Sequence, residues 1–291
     1  MITKYIKRHS VLARITHGVV AISCILLAIS GLFVLITAWN NGVGSEFTIA
    51  MRWTHRLLAI PFILIPLLAI IISPKGFVHL FKNNIFGKWD ADDRAFAMRF
   101  LPYLFAPGKV HMPPQREVKS LQRVADGTLL FAGVFAAISG MILWLNTGLL
   151  PGGEWAYHFS QSTLLTAKIV HDISFIVIIV FGLGHIYLGA GIFEPYHGTL
   201  NLMFGNGKIK EADAAYHWGY WANNELAIGK NVVEVKDGEK KRGDTASEGW
   251  EKYSTPNQRP VSGAEYGAWI LGQKWPRIFC VYPETLYLQP A

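Results

Sequence analysis

Four of the ten histidines in the chain, His17, His55, His171 and His185, lie inside long apolar runs, close to the ends of those runs. An ionisable side chain within a membrane span is costly and usually marks function. The stretch HDISFIVIIVFGLGHIY holds His171 and His185 fourteen residues apart. On an α-helix that separation is about 21 Å of rise, and the two side-chain directions agree to within about 40°. Both imidazoles therefore leave one helix face at two depths. Two neutral imidazoles facing each other across a helix bundle are what bis-histidine haem b needs, one axial nitrogen from each. Zinc or copper would gather three or four ligands at one depth, whereas the pattern offers two per depth. The only cysteines, Cys24 and Cys280, make no thiolate set for zinc or an iron–sulfur cluster.

The elements that carry these histidines follow from hydropathy. Hydrophobic residues make up 51% of the 291, and the mean hydropathy is +0.27, which places the chain among membrane proteins. Four runs reach the roughly 20 apolar residues needed to cross a bilayer. They cover 15–39, 54–73, 124–149 and 164–193. None has the layout of a cleaved signal peptide. The expected fold is all-α: a four-transmembrane-helix bundle, 1–195, binding two b haems, with a polar C-terminal extension, 196–291. The connection 74–123 holds two aromatic and basic segments that suit helices in the interface plane, or an ordinary loop. The stretch 231–263 reads as irregular, and AWILGQKWPRIFCVYPETLYL beyond it as a surface that packs on a partner or on the membrane.

Charge alternates from loop to loop. Lys4, Lys7, Arg8 and Arg14 precede the first span, the second connection carries nine basic residues, and the third, about 148–163, carries none. The net charge of +7 is therefore read as the positive-inside pattern and not as a nucleic-acid surface. Both termini are expected in the cytoplasm. This topology pairs His17 with His185 near the cytoplasmic face and His55 with His171 near the outer face. His9, His79, His111, His158, His197 and His217 are expected as surface histidines. Arg14, Arg56 and Lys168 lie within a turn of the paired histidines and could meet haem propionates or simply snorkel to the interface. Gly31, Gly133 and Gly140 could make room for a macrocycle or for close helix packing.

The same residues carry a resemblance. ITHG with His17, WTHR with His55, PPQR before the third span, and the His171/His185 span ending in HIYLG resemble the cytochrome b (gamma) subunit of membrane-bound formate dehydrogenase. GTLNLMFGNGKIKEADAAYHWGYWANNE resembles the close of that family, so the likeness covers about residues 5–225. It implies two haem b groups, with His55 and His171 at the outer one and His17 and His185 at the inner one. It implies menaquinone or ubiquinone as substrate beside the inner haem. Its implied partners are an iron–sulfur electron-transfer subunit and a molybdenum- or tungsten-dependent formate dehydrogenase catalytic subunit, in a bacterial inner membrane, with a higher oligomer of the complex compatible. The family has Asn-Ala-Gly-Gln-Lys where this chain reads VADGT. Asp126 in that segment is read as a carboxylate that passes a proton to quinone, or as a helix cap. Two rivals stay open: a diheme cytochrome b serving a NiFe hydrogenase or thiosulfate reductase, and a metal or proton transporter using intramembrane histidines.

Overall fold

The computed structural model describes residues 2–36 and 44–236. Four helices in it are long and apolar enough to cross a membrane: α1 (Val11–Leu35), α2 (Ser45–Ile72), α5 (Ser120–Thr147) and α6 (Gln161–Gly189). The protein is a helical, multi-pass membrane bundle. Leu57, Leu67, Ile71, Leu165, Val180 and Leu183 point away from the neighbouring helices, a surface that only hydrocarbon tolerates. Each span begins before its hydropathy signal. Ser10 and Ser160 explain two of these starts, because their hydroxyls accept from the backbone N–H of Ala13 and Thr163, each at 3.2 Å. In α2 the mixed segment from Ser45 to Arg52, where Glu46, Thr48 and Arg52 interrupt the apolar residues, continues the helix ahead of the apolar run. Pro61 and Pro66 lie within α2, as a membrane helix permits.

α1 packs along α2, and α5 along α6, so the bundle is two hairpins. Direct backbone contact between the hairpins is sparse. The connection between them forms helices α3 (Pro74–Ile85) and α4 (Ala91–Phe105). α4 starts with a capping box: Asp93 N–H donates to Asp90 Oδ1 at 2.8 Å, and Asp90 N–H to Asp93 Oδ2 at 3.2 Å. Met98, Leu101 and Phe105 stand exposed along α4, a surface suited to the membrane interface. A buried ion pair, Arg123 Nη2 to Asp93 Oδ1 at 2.6 Å, clamps α4 to the start of α5.

The unexpected element is a sheet. Strand β1 (Ile2–Lys7) runs just before α1. After α6 come a 3₁₀ turn (Glu194–Tyr196), the short helix α7 (Asn201–Phe204), β2 (Lys208–Lys210), α8 (Glu211–His217), α9 (Gly219–Ile228) and β3 (Val232–Lys236). β1 is the central strand, antiparallel to both others, with Ile6 opposite Ile209 on one side and Val232 on the other. Residues 232–236, expected to be irregular, thus form the strand that holds the N-terminal arm. Ile6, fully buried, packs with Leu202, Ile209, Ala214, Trp218 and Ala222 to form the core beneath the sheet. The expectation for AWILGQKWPRIFCVYPETLYL falls outside the described residues.

Candidate functional site

The bundle brings the four span histidines together in two pairs. His55 and His171 have ring centroids 6.1 Å apart, and so do His17 and His185. The second pair lies at the end of the bundle that carries the sheet, where Phe204 of α7 meets the His17 ring edge-on at 5.5 Å. The first pair lies at the far end. A transition metal holds an imidazole nitrogen at about 2 Å, and each ring centre lies about 1.1 Å behind its nitrogen, so two trans imidazoles centre about 6 Å apart. Both pairs have the spacing of a bis-imidazole iron.

At the far end the Nδ1 atoms are spoken for. Ser30 Oγ donates to Leu26 O at 2.8 Å, so at 3.0 Å from His55 Nδ1 it accepts the imidazole N–H. Ser139 Oγ donates to Phe135 O at 2.6 Å and accepts from His171 Nδ1 at 3.2 Å. The same N–H also reaches Ala136 O, at 3.0 Å. With Nδ1 protonated, each Nε2 keeps its lone pair for a metal. The residue after each serine is a glycine, and the histidine ring lies against it. A Cβ on Gly31 would be 3.3 Å from His55 Cε1, and one on Gly140 would be 3.0 Å from His171 Cε1. Gly133, by contrast, faces Phe62 and has no histidine beside it.

This construction occurs twice. Ser30 and Ser139 lie nineteen residues past the first residue of α1 and α5, while His55 and His171 lie ten past the first residue of α2 and α6. Each hairpin presents a Ser-Gly on its first helix to a histidine on its second. The serines were missed in the sequence, where a lone serine in an apolar run carries no signal. Ala-Ile-Ser-Gly recurs at 28–31 and 137–140, and that repeat could have found them.

The sheet end breaks the symmetry. His17 and Asp126 both stand six residues past the start of their helices, so the second hairpin has a carboxylate where the first has an imidazole. Asp126 is inside α5, whose N-cap is Lys119, so it is not a helix cap. Its Oδ1 lies 3.3 Å from His185 Nδ1, and its Oδ2 accepts from Gln122 Nε2 at 3.1 Å. Among the described residues, His17 Nδ1 has no partner. Arg8 Nη1, Arg14 Nε and Thr16 Oγ1, all buried near this end, have none either. Unpaired guanidinium donors fit the carboxylates of a haem. The remaining guanidinium contacts of Arg14 and Arg8 go to Gly205 O and Glu117 O. Arg56 donates to Thr147 Oγ1 at 2.7 Å and stacks over Trp53, while Lys168 is exposed.

Beside this end the chain buries more charge than its sequence suggested. Arg8 lies 3.8 Å over the Trp218 ring, and Lys119 Nζ 3.6 Å over Tyr196. Burial lowers the Arg8 guanidinium to about 10 and takes Lys119 well below the usual lysine value. His217, expected at the surface, is 2% exposed. Lys119 Nζ donates to its Nδ1 at 3.3 Å, which requires a neutral ring, and burial holds its basicity well below normal. His9 is pushed down to about 3 by burial first, then by the charges of Arg8, His17 and Arg14. His79 is the surface histidine it was expected to be, exposed and 3.1 Å from Glu117.

Among curated proteins, none matches the chain. Residues 8–206, all four spans and α7 included, match the model of one family. Its description, prokaryotic cytochrome b561, agrees with a helical membrane bundle carrying paired imidazoles. The chain belongs to the prokaryotic cytochrome b561 family: it is a membrane cytochrome b, a haem b protein with a role in electron transfer.

Proposed function

We propose that this chain is the diheme membrane subunit of a formate dehydrogenase complex, taking electrons from an iron–sulfur subunit and delivering them to menaquinone or ubiquinone. The two-haem reading rests on one observation: two histidine pairs, each 6.1 Å between ring centres, at opposite ends of one bundle. When bound, each haem supplies a one-electron store at a bis-imidazole iron. His55 and His171 hold the far-end haem, with Ser30 and Ser139 fixing their tautomers. His17 and His185 hold the sheet-end haem. Arg14 is the propionate partner there, joined by Arg8, and Arg56 and Lys168 serve the far end.

The pairing of β1 with β3 puts the segments before the first span and after the last on one side. With the basic second connection, this supports a cytoplasmic sheet end and an outer far end. Quinone is then reduced beside His185, and Asp126, a quarter exposed, is the carboxylate that hands on a proton. The motifs around His17, His55 and His185 support formate as the donor through the catalytic and iron–sulfur partners.

The test is to purify the chain with its partners from native membrane and record oxidised and reduced spectra. A b-type band from two haems per chain, reduced by formate and reoxidised by added quinone, is expected. Reduction by hydrogen and not formate would assign the chain to a hydrogenase. A featureless spectrum would sink the haem reading and favour an intramembrane-histidine transporter.

A further inference from the structure

The two ends differ in what receives the second nitrogen of the histidines, and that difference has an electronic consequence. At the far end both Nδ1 protons go to neutral oxygens: Ser30 Oγ, Ser139 Oγ and Ala136 O. At the sheet end His185 Nδ1 faces a carboxylate, Asp126 Oδ1, at 3.3 Å. A carboxylate behind a ligating imidazole raises the basicity of the ligand, and a more basic axial ligand favours ferric over ferrous iron.

We propose that Asp126 is a positioning residue that biases the electron affinity of the sheet-end haem, acting through His185. Its Oδ1 fixes the ring with Nε2 free and gives that imidazole anionic character. Among the described residues, none at the far end does this. Gln122, donating to Oδ2, keeps the carboxylate turned toward His185. Helix position supports a built-in role, since Asp126 occupies in the second hairpin the place that His17 occupies in the first. Arg8 lies close enough to offset part of the charge, so the measurable quantity is the change on removing Asp126.

The proposal rests on the two-haem reading, and one experiment separates the two. The intact complex in native membrane is titrated over a range of ambient potentials, and the b-band absorbance is followed. The His171→Ala form isolates the sheet-end haem for assignment. Replacing Asp126→Asn exchanges a charged acceptor for a neutral one, so the ferric-to-ferrous ratio of the sheet-end haem at fixed potential should fall about five- to tenfold. The far-end haem should stay where it was. Asp126→Ser, which imitates the far end, should act like Asn, and Asp126→Glu should keep most of the original ratio. An unchanged sheet-end ratio, or equal shifts of both haems, overturns the proposal. Loss of the sheet-end haem in the Asn and Ser forms alike also overturns it, by making Asp126 a structural residue only. A parent protein in which only one haem titrates sinks the two-haem reading instead.

Discussion

At the far end, His55 and His171 are each supplied by one hairpin, each bonded to a serine of the adjoining helix and each laid against a glycine. At the sheet end both hairpins contribute again, but His17 comes from the first helix of its hairpin and His185 from the second of the other. One Nδ1 there faces a carboxylate and the other has no partner among the described residues. The far end is the repeated, symmetric design. The sheet end is where the repeat gives way, and it is the end with unpaired guanidinium donors, buried cations and a cap of short strands and helices. A pair that only holds an electron can be built the same way twice. On the proposed function, the sheet-end pair also meets protons and a quinone, and so needs groups its twin lacks.

The largest test of this contrast removes one ligand at a time. On the two-haem proposal, His55→Ala or His171→Ala should cost half the bound haem and leave the sheet-end haem spectrally intact, and His17→Ala should do the reverse. Haem extraction and absorbance check both. Next comes the clamp beside the sheet end. Asp93→Ala leaves Arg123 buried and uncompensated, a loss of about 3–5 kcal/mol. A thermal melt in detergent should show it as a large fall. Far-end packing is a smaller effect. Gly140→Ala forces a methyl to 3.0 Å from His171, and Gly31→Ala one to 3.3 Å from His55. Overpacking of this kind costs about 1–3 kcal/mol, more at Gly140 than at Gly31. Gly133→Ala, with Phe62 at 3.6 Å, should be nearly silent. Equal melting shifts for all three would break the assignment of Gly31 and Gly140 to the histidines.

Acid gives a graded effect, confined to the sheet end. His9 is held at about 3 when folded, against 6.5 when unfolded. Between those values the unfolded chain binds the proton and the folded one does not, so stability rises with pH through that window and is flat above it. The slope is at most about 1.4 kcal/mol per pH unit for each such histidine, and His217, shifted the same way, adds to it. Once the acid-slowed intrinsic exchange rate is divided out, the protection of β1 and β3 amides should fall from pH 7 to pH 5 while that of far-end amides is unchanged. A uniform response would show that the ends are not separable.

Much of this was legible in the sequence, because hydropathy and ionisable residues carry strong signals in a membrane segment. The four spans and the four span histidines were found that way. Helix starts were missed where a cap or a mixed segment, as from Ser45 to Arg52, extends the helix past the apolar run. The sheet was missed because ITKYIK and VVEVK are short and ordinary, and only their pairing across the whole bundle makes them strands. His217 was misplaced because, although Tyr216 and Trp218 flank it, the order of residues gives no sign that Tyr196 and Lys119 close over it. Ser30 and Ser139 needed a comparison of the chain with itself.

The central place of β1 also sets an order of assembly. This strand is synthesised before the four spans, and one of its two neighbours, β3, is synthesised after all of them. β1 cannot finish pairing until the bundle is already inserted. The N-terminal arm therefore closes over the His17/His185 end last, like a latch on a compartment already filled. On the two-haem proposal, a haem destined for the far end would have no such deadline, and the one at the sheet end would have until the latch shuts.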